Sequence, residues 1–341
     1  MRALVDRHQA DLFYAMQLTL EDRLGLEVYT PVGYEWFDEG YWQFGHQHLG
    51  RALADQFLNI DAKYSQCNCK DYWKTWDPAH VERVIRCVTL EQFRRLGGFT
   101  HIVASVQDNQ AGFARLASEC GAKYVLQVGN TRQDVDWGLD PLALVSSEIP
   151  IVGRGVLMHQ PMAACFRTRD PSEAQGVISS FVNLFPRFGP PEHPEHDEWP
   201  LWRDLAARLP EFEEFIFGID GPDGNVKPVE AIADRMAESA FALHIKPTGD
   251  GFGHVIHNWA AVGRPLIGRG RYYAGQLGER FWQDGVTCID LDQRSPQEAA
   301  DLIRDVWADK PRYRRMCAAI RAEFDRIDWD QEAAEIAGLL L

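Results

Sequence analysis

The sequence predicts an α/β protein made of two doubly wound parallel-sheet domains, closed by C-terminal helices. Three observations carry this expectation. The 341 residues exceed the span of about 150 residues that one compact core usually holds. Hydrophobic residues at 45% and charged residues at 25% have the balance of a globular chain, which excludes general disorder. Short apolar runs alternate with helix-period segments in both halves, as they do when helices cover both faces of a parallel sheet.

Residues 2–6 form a short apolar run, after which Leu12, Ala15, Met16 and Leu20 recur at helical spacing, so the chain opens strand, loop, helix. Gly25 closes that helix, and residues 26–29 make a second strand before Pro31. From 34 to 88 the pattern loosens into an aromatic-rich insertion holding Trp36, Phe37, Tyr41, Trp42, Phe44, Tyr72, Trp73 and Trp76. Flat aromatic faces suit stacking on sugar rings or bases, and they equally suit a small core of the insertion's own. Alternation resumes with a helix near 89–96, a strand at 101–106, a helix near 111–119 and strands at 124–128 and 155–158.

The polar stretch 167–175 is the linker candidate, which sets the domains at 1–168 and 169–341. The second half repeats the grammar with strands at 177–181, 215–217, 241–244, 265–267 and 286–289. Helices are expected at 201–209, 229–236 and 252–262, and three more between 296 and 340. The Pro- and charge-rich segment 188–198 reads as a mobile surface loop.

Lys plus Arg is 35 against 50 for Asp plus Glu, a formal charge of −15 that opposes a general polyanion-binding surface. Residues 1–168 carry 16 basic and 20 acidic side chains, so a polyanion would favour the first half. The seven cysteines are scattered and lack a Cys-x-x-Cys pair, as reduced thiols are; Cys67 and Cys69 have no second ligand pair at zinc spacing. The triplets Asp134-Val135-Asp136 and Asp290-Leu291-Asp292 are the other metal-like patterns, and both read as chance. No metal site is expected. Charges interrupt the first apolar run early, and no stretch has the length of a membrane span, so a cytoplasmic location is expected.

The sharpest local signal runs from His244 to Asn258. An apolar strand leads into Gly249, Gly251 and Gly253 at alternate positions and then into a helix. Glycines let a backbone approach a ligand, and a helix N-terminus offers amide donors and positive potential to phosphate. The spacing is neither the dinucleotide fingerprint nor a Walker loop. In the first half, Asp6, His8 and Asp11 lie at the carboxyl end of the first strand, where open α/β sheets place ligands. His8 is a candidate general base, Asp6 or Asp11 its orienter or substitute, and Asp11 equally a helix cap. Asp108 and Asn130 follow later strands at the same end, and His159 follows the last one.

The run Gly249-Asp250-Gly251-Phe252-Gly253-His254-Val255-Ile256-His257-Asn258, continued by Ala260-Ala261-Val262-Gly263-Arg264-Pro265-Leu266-Ile267, resembles the donor-binding segment of GT-B glycosyltransferases. It is most similar to their large retaining group, marked by Glu-Gly-Phe-Gly, four residues, and a second Glu. Phe215-Ile216-Phe217-Gly218-Ile219-Asp220-Gly221-Pro222 resembles that group's strand and Gly-x-Gly-Pro turn.

The resemblance implies two Rossmann-like domains facing an interdomain cleft. The second would bind a nucleotide diphosphate sugar, UDP-sugar first among them, and the first would present an acceptor hydroxyl. It implies Asp250 on donor-sugar hydroxyls, Asn258 on the ribose, and Arg187 and Lys246 on the diphosphate beside Gly249, Gly251, Phe252, Gly253 and His254. Asp250 and Asn258 stand where the group has Glu. The implied reaction is metal-independent glycosyl transfer without a cofactor, retaining or inverting. Hydroxymethylated DNA bases and small glycosides are candidate acceptors, with no stable membrane association. The competing readings are a noncatalytic sugar- or nucleotide-binding protein of the same fold and a sugar-nucleotide epimerase.

Overall fold

A computed structural model describes residues 1–7, 10–32, 36–37, 62–63, 65–68, 83–105, 109–129, 135–146, 155–170, 174–181, 194–218, 221–246 and 251–341. The chain divides into two compact units. Met1–Pro161 and Trp329–Leu341 form the first, and Met162–Asp328 forms the second. The boundary thus falls at 161/162, ahead of the polar stretch read as the linker, and the last helix belongs to the first unit.

In chain order the first unit contains β1 (Arg2–Val5), α1 (Ala10–Gln17), β2 (Glu27–Pro31), β3 (Ser65–Asn68), β4 (Val84–Val88) and α2 (Leu90–Leu96). There follow β5 (Phe99–Ala104), α3 (Gln110–Cys120), β6 (Lys123–Val128), β7 (Leu142–Val145) and β8 (Gly155–Leu157). The sheet order is β3-β4-β2-β1-β5-β6-β7-β8, parallel except for the antiparallel edge strand β3. Alternate residues of one strand enter opposite cores. Ala3, Val5, Val28, Val103, Val125 and Leu144 pack with Phe13 and Met16 of α1 on one face. Leu4, Tyr29, Ile102, Ala104 and Leu126 pack with Phe93 and Phe113 on the other.

Thr89 starts α2 with a reciprocal capping box to Gln92. Strand β4 lies inside the segment read as an insertion. Arg86 interrupts its apolar run, yet that side chain is neutralised at its own edge by Glu21, 2.5 Å away. Strand β7 was likewise missed, although Leu142-Ala143-Leu144-Val145 is wholly apolar. Of the aromatic insertion, Trp36 is buried against Phe93, with its Nε1 donating to the Val32 carbonyl at 3.0 Å, and Phe37 packs on Phe113. These two join the unit's main core; Tyr41, Trp42, Phe44, Tyr72, Trp73 and Trp76 lie outside the described residues.

The second unit runs β9 (Val177–Phe181), α4 (Pro194–Ala207), β10 (Glu213–Phe217), α5 (Val229–Glu238), β11 (Phe241–His244) and α6 (His254–Val262). It continues with β12 (Leu266–Gly268), β13 (Cys288–Asp290), α7 (Pro296–Ala308) and α8 (Lys310–Asp325). Its five strands are parallel in the order β10-β9-β11-β12-β13. Ile178, Ile216, Phe241, Leu243, Ile267 and Ile289 meet Trp202, Leu205 and Ile303 in its core. Residues 194–198, expected in a mobile loop, open α4, where Trp202 and Leu205 supply the apolar stripe that holds the helix down.

The last helix, α9 (Trp329–Leu340), places fully buried Ile336 and Leu340 in the first unit's core beside Met158. Burying two such side chains contributes about 1.5–3 kcal/mol each.

Candidate functional site

Open α/β sheets bind ligands outside the carboxyl ends of the strands, where the strand order reverses. In the second unit that reversal lies between β9 and β11. The segment following β11 therefore borders the crevice, and it carries the glycine-rich run into α6. Lys246 is half-buried two residues past the strand. Gly251 and Gly253 have φ of 57° and 76°, in the left-handed region that glycine enters without strain. Gly253 is the N-cap of α6 and makes no side-chain cap to it. His254 and Asn258, four residues apart, are half-buried on one face of α6, and Ile256 and His257 are buried. Phe252, 2% exposed, anchors the turn by stacking on His257 and meeting His254 edge-on at 5.0 Å. Gly249 and Asp250, and Arg187 after β9, lie outside the described residues.

Glycine has a second use here. A Cβ on Gly268, at the end of β12, would sit 2.1 Å from the His244 carbonyl oxygen, so β11 and β12 approach this closely only without a side chain. The turn after β10 is similar, because a Cβ on Gly221 would lie 2.5 Å from the Ile216 carbonyl.

In the first unit the strand order reverses between β1 and β5. Asp6 follows β1 and is fully buried. Its Oδ2 accepts hydrogen bonds from the Ser105 amide (3.2 Å), just past β5, and from Asn109 Nδ2 (3.4 Å). The carboxylate therefore joins both sides of the reversal. Burial, with the Asp6 charge adding to it, pushes the Tyr124 hydroxyl well above its ordinary range. His8, Asp108, Asn130 and the side chain of Asp11 lie outside the described residues, although Asp11 falls within α1.

His159 is buried at the end of this unit's first segment. Its Nδ1 lies 2.6 Å from Glu332 Oε2, and its backbone amide donates to Glu332 Oε1 at 2.8 Å, while Trp329 meets the ring edge-on. Both oxygens of one carboxylate on α9 thus hold the residue that sequence reading placed near the acceptor. Glu332 had no local signal, since it lies 173 residues away.

Arg264, Arg269 and Arg271, which follow α6 closely in the sequence, are each engaged within the protein. Arg264 is fully buried and donates to the carbonyls of Met236 and Ala237. Arg269 bridges Glu198 (2.9 Å) and Asp292 (2.7 Å), and Arg271 pairs with Asp292 at 3.2 Å. Burial opposes the Arg269 charge, but these carboxylates raise its pKa above the ordinary value. The same bonds account for the second aspartate triplet: Asp290 Oδ1 accepts from the Gly270 and Asp292 amides. In the first triplet, Asp136 caps a short turn through the Gly138 amide. Among the described residues, no group of three or more His, Cys, Asp or Glu is placed to hold a metal ion. Nor is any described helix long and apolar enough to cross a membrane.

No family model matches the sequence, and no curated protein does. Solved structures do match. HepE of Anabaena in complex with UDP-glucose aligns over 100% of this chain and 99% of its own, at 12% identity and a TM-score of 0.63. An alpha-glucosyltransferase in complex with UDP-glucose and DNA containing an abasic site aligns over 99% and 98%, at 9% identity and a TM-score of 0.60. Sucrose-phosphate synthase from Thermosynechococcus elongatus aligns over 99% and 98%, at 12% identity and a TM-score of 0.55. The chain has the GT-B fold.

Proposed function

We propose that this protein is a glycosyltransferase that moves a sugar from a nucleotide diphosphate sugar, UDP-sugar first, to an acceptor hydroxyl. The observation that carries the reading is the glycine turn, which brings the N-terminus of α6 to the reversal point of the second sheet. Two of the matching structures hold UDP-glucose, which supports the donor class.

In this reading the α6 amides and Lys246, with Arg187, offset the charge that grows on the departing nucleotide diphosphate. Asp250 accepts from sugar hydroxyls. Asn258, one turn beyond His254 on the same face, hydrogen-bonds the ribose, without the charge that a Glu would bring. On the acceptor side His8 is the general base, with Asp11 its alternative. Asp6, buried and bonded to Ser105 and Asn109, is the orienter of His8 or its substitute in this reading. Asp108, Asn130 and His159 remain acceptor-side positions in the proposal. The acceptor is sought first among hydroxymethylated DNA and small glycosides; the matching glucosyltransferase was solved with DNA, while the charge of −15 argues for the glycosides.

The test is thermal stabilisation by UDP, GDP, ADP, CDP and dTDP and their sugar conjugates, with and without magnesium. A ligand at 100 times its dissociation constant adds about 2.7 kcal/mol. A selective shift independent of magnesium is the expected result, and no shift with any nucleotide at millimolar concentration overturns the reading. Asp250→Ala and His8→Ala then separate an enzyme from a binding protein. Both variants should lose turnover with their fold intact.

A further inference from the structure

We infer that His257 is a positioning residue that fixes the glycine turn in its phosphate-accepting shape, an inference that rests on the nucleotide-sugar reading. The Gly253 carbonyl accepts two hydrogen bonds from this one residue: the helical bond from the His257 amide at 3.1 Å and a second from its Nδ1 at 2.9 Å. Helix geometry requires only the first. Because a carbonyl only accepts, Nδ1 carries the proton, and the tautomer is set by the turn it holds.

The ring itself is fixed in place. It is fully buried, stacks on Phe252 at 4.1 Å and 17°, and meets Phe281 edge-on at 5.0 Å. One side chain therefore grips two consecutive residues of the turn, Phe252 by its face and Gly253 by its carbonyl. On the other side of Gly253 there is no slack, since a Cβ there would lie 3.0 Å from Ile256 and 3.4 Å from Tyr273. With the carbonyl held back by two donors, the amides of residues 254–256 keep their direction before any ligand arrives. Binding then has less backbone to order.

Two variants separate this role from plain packing. His257→Phe keeps the aromatic volume and removes the donor. His257→Asn places an amide nitrogen near the Nδ1 position and gives up the stacking. If the side chain positions the turn, His257→Phe weakens UDP binding about tenfold, the effect of losing one buried hydrogen bond. It also raises KM for UDP-glucose more than it lowers kcat, while melting near wild type. His257→Asn melts lower and keeps UDP affinity. Affinities that fall in step with melting temperature across both variants overturn the inference, as does wild-type affinity in His257→Phe.

Amide hydrogen exchange of residue 257, whose amide is bonded to the Gly253 carbonyl, gives a readout that needs no ligand. It should quicken in His257→Phe and stay slow in His257→Asn, and unchanged exchange in His257→Phe also overturns the inference. If the wild-type protein itself binds no nucleotide, the glycosyltransferase reading fails separately, while exchange still decides whether His257 holds the turn.

Discussion

The two sheets each reverse strand order beside their first strand, β1 and β9, and they finish that point in opposite ways. In the first unit a buried side chain, Asp6, spans the reversal by bonding Ser105 and Asn109. In the second unit the work falls to the backbone, through Gly251, Gly253 and Gly268, whose missing side chains permit left-handed turns and close strand approach. A crevice edged by a side-chain tie presents whatever residues the loops carry. A crevice edged by bare backbone presents amide groups, which suit phosphate whatever sugar is attached to it.

Substitutions at the two points should fail differently. The largest effect is expected for Gly268→Ala, which forces β11 and β12 apart and should cost about 3 kcal/mol in denaturant unfolding; a near-neutral result would mean the backbone contact is not limiting. Asp6→Ala strands the Ser105 amide and should cost about 2–3 kcal/mol. Its loss should appear in the first unit alone, read by hydrogen exchange, and equal losses in both units would dissolve the contrast. Glu332→Gln retains an oxygen for the His159 amide but gives up the carboxylate opposite Nδ1, at about 1–2 kcal/mol.

The smallest effect concerns pH. Burial lowers the His101 pKa from its ordinary 6.5, against the opposing pull of its bond to the Leu340 carbonyl. Below that ordinary value the unfolded chain takes up a proton that the folded chain resists. This contribution is complete above pH 6.5 and lost as pH falls toward the depressed folded value. Chemical denaturation at pH 7.5 and 5.5 should show a smaller difference in His101→Gln than in wild type.

Much of this architecture was legible because helix and strand periods are local. Ten of the strands lie where apolar runs were read. The misses have particular causes. Arg86 broke the pattern of β4, and only its partner Glu21, on an earlier segment, makes that strand intelligible. The aspect of the site that depends on the backbone, a glycine turn into a helix, was plain in the sequence because glycine spacing is local too. Side-chain pairings were not. Arg269 pairs with Glu198, 71 residues earlier, in a segment whose prolines and charges suggest a loop. His159 pairs with Glu332, 173 residues further on, and no local pattern links the two.

Placing α9 in the first unit has a consequence for synthesis. Residues 162–328 form one uninterrupted stretch, so that unit has its whole sequence once residue 328 has left the ribosome. The first unit begins earlier yet is completed later, because Ile336 and Leu340, which pack with Met158 and its neighbours, are made after residue 328. Until then the earlier-made unit must wait, with one apolar face open, for its final helix.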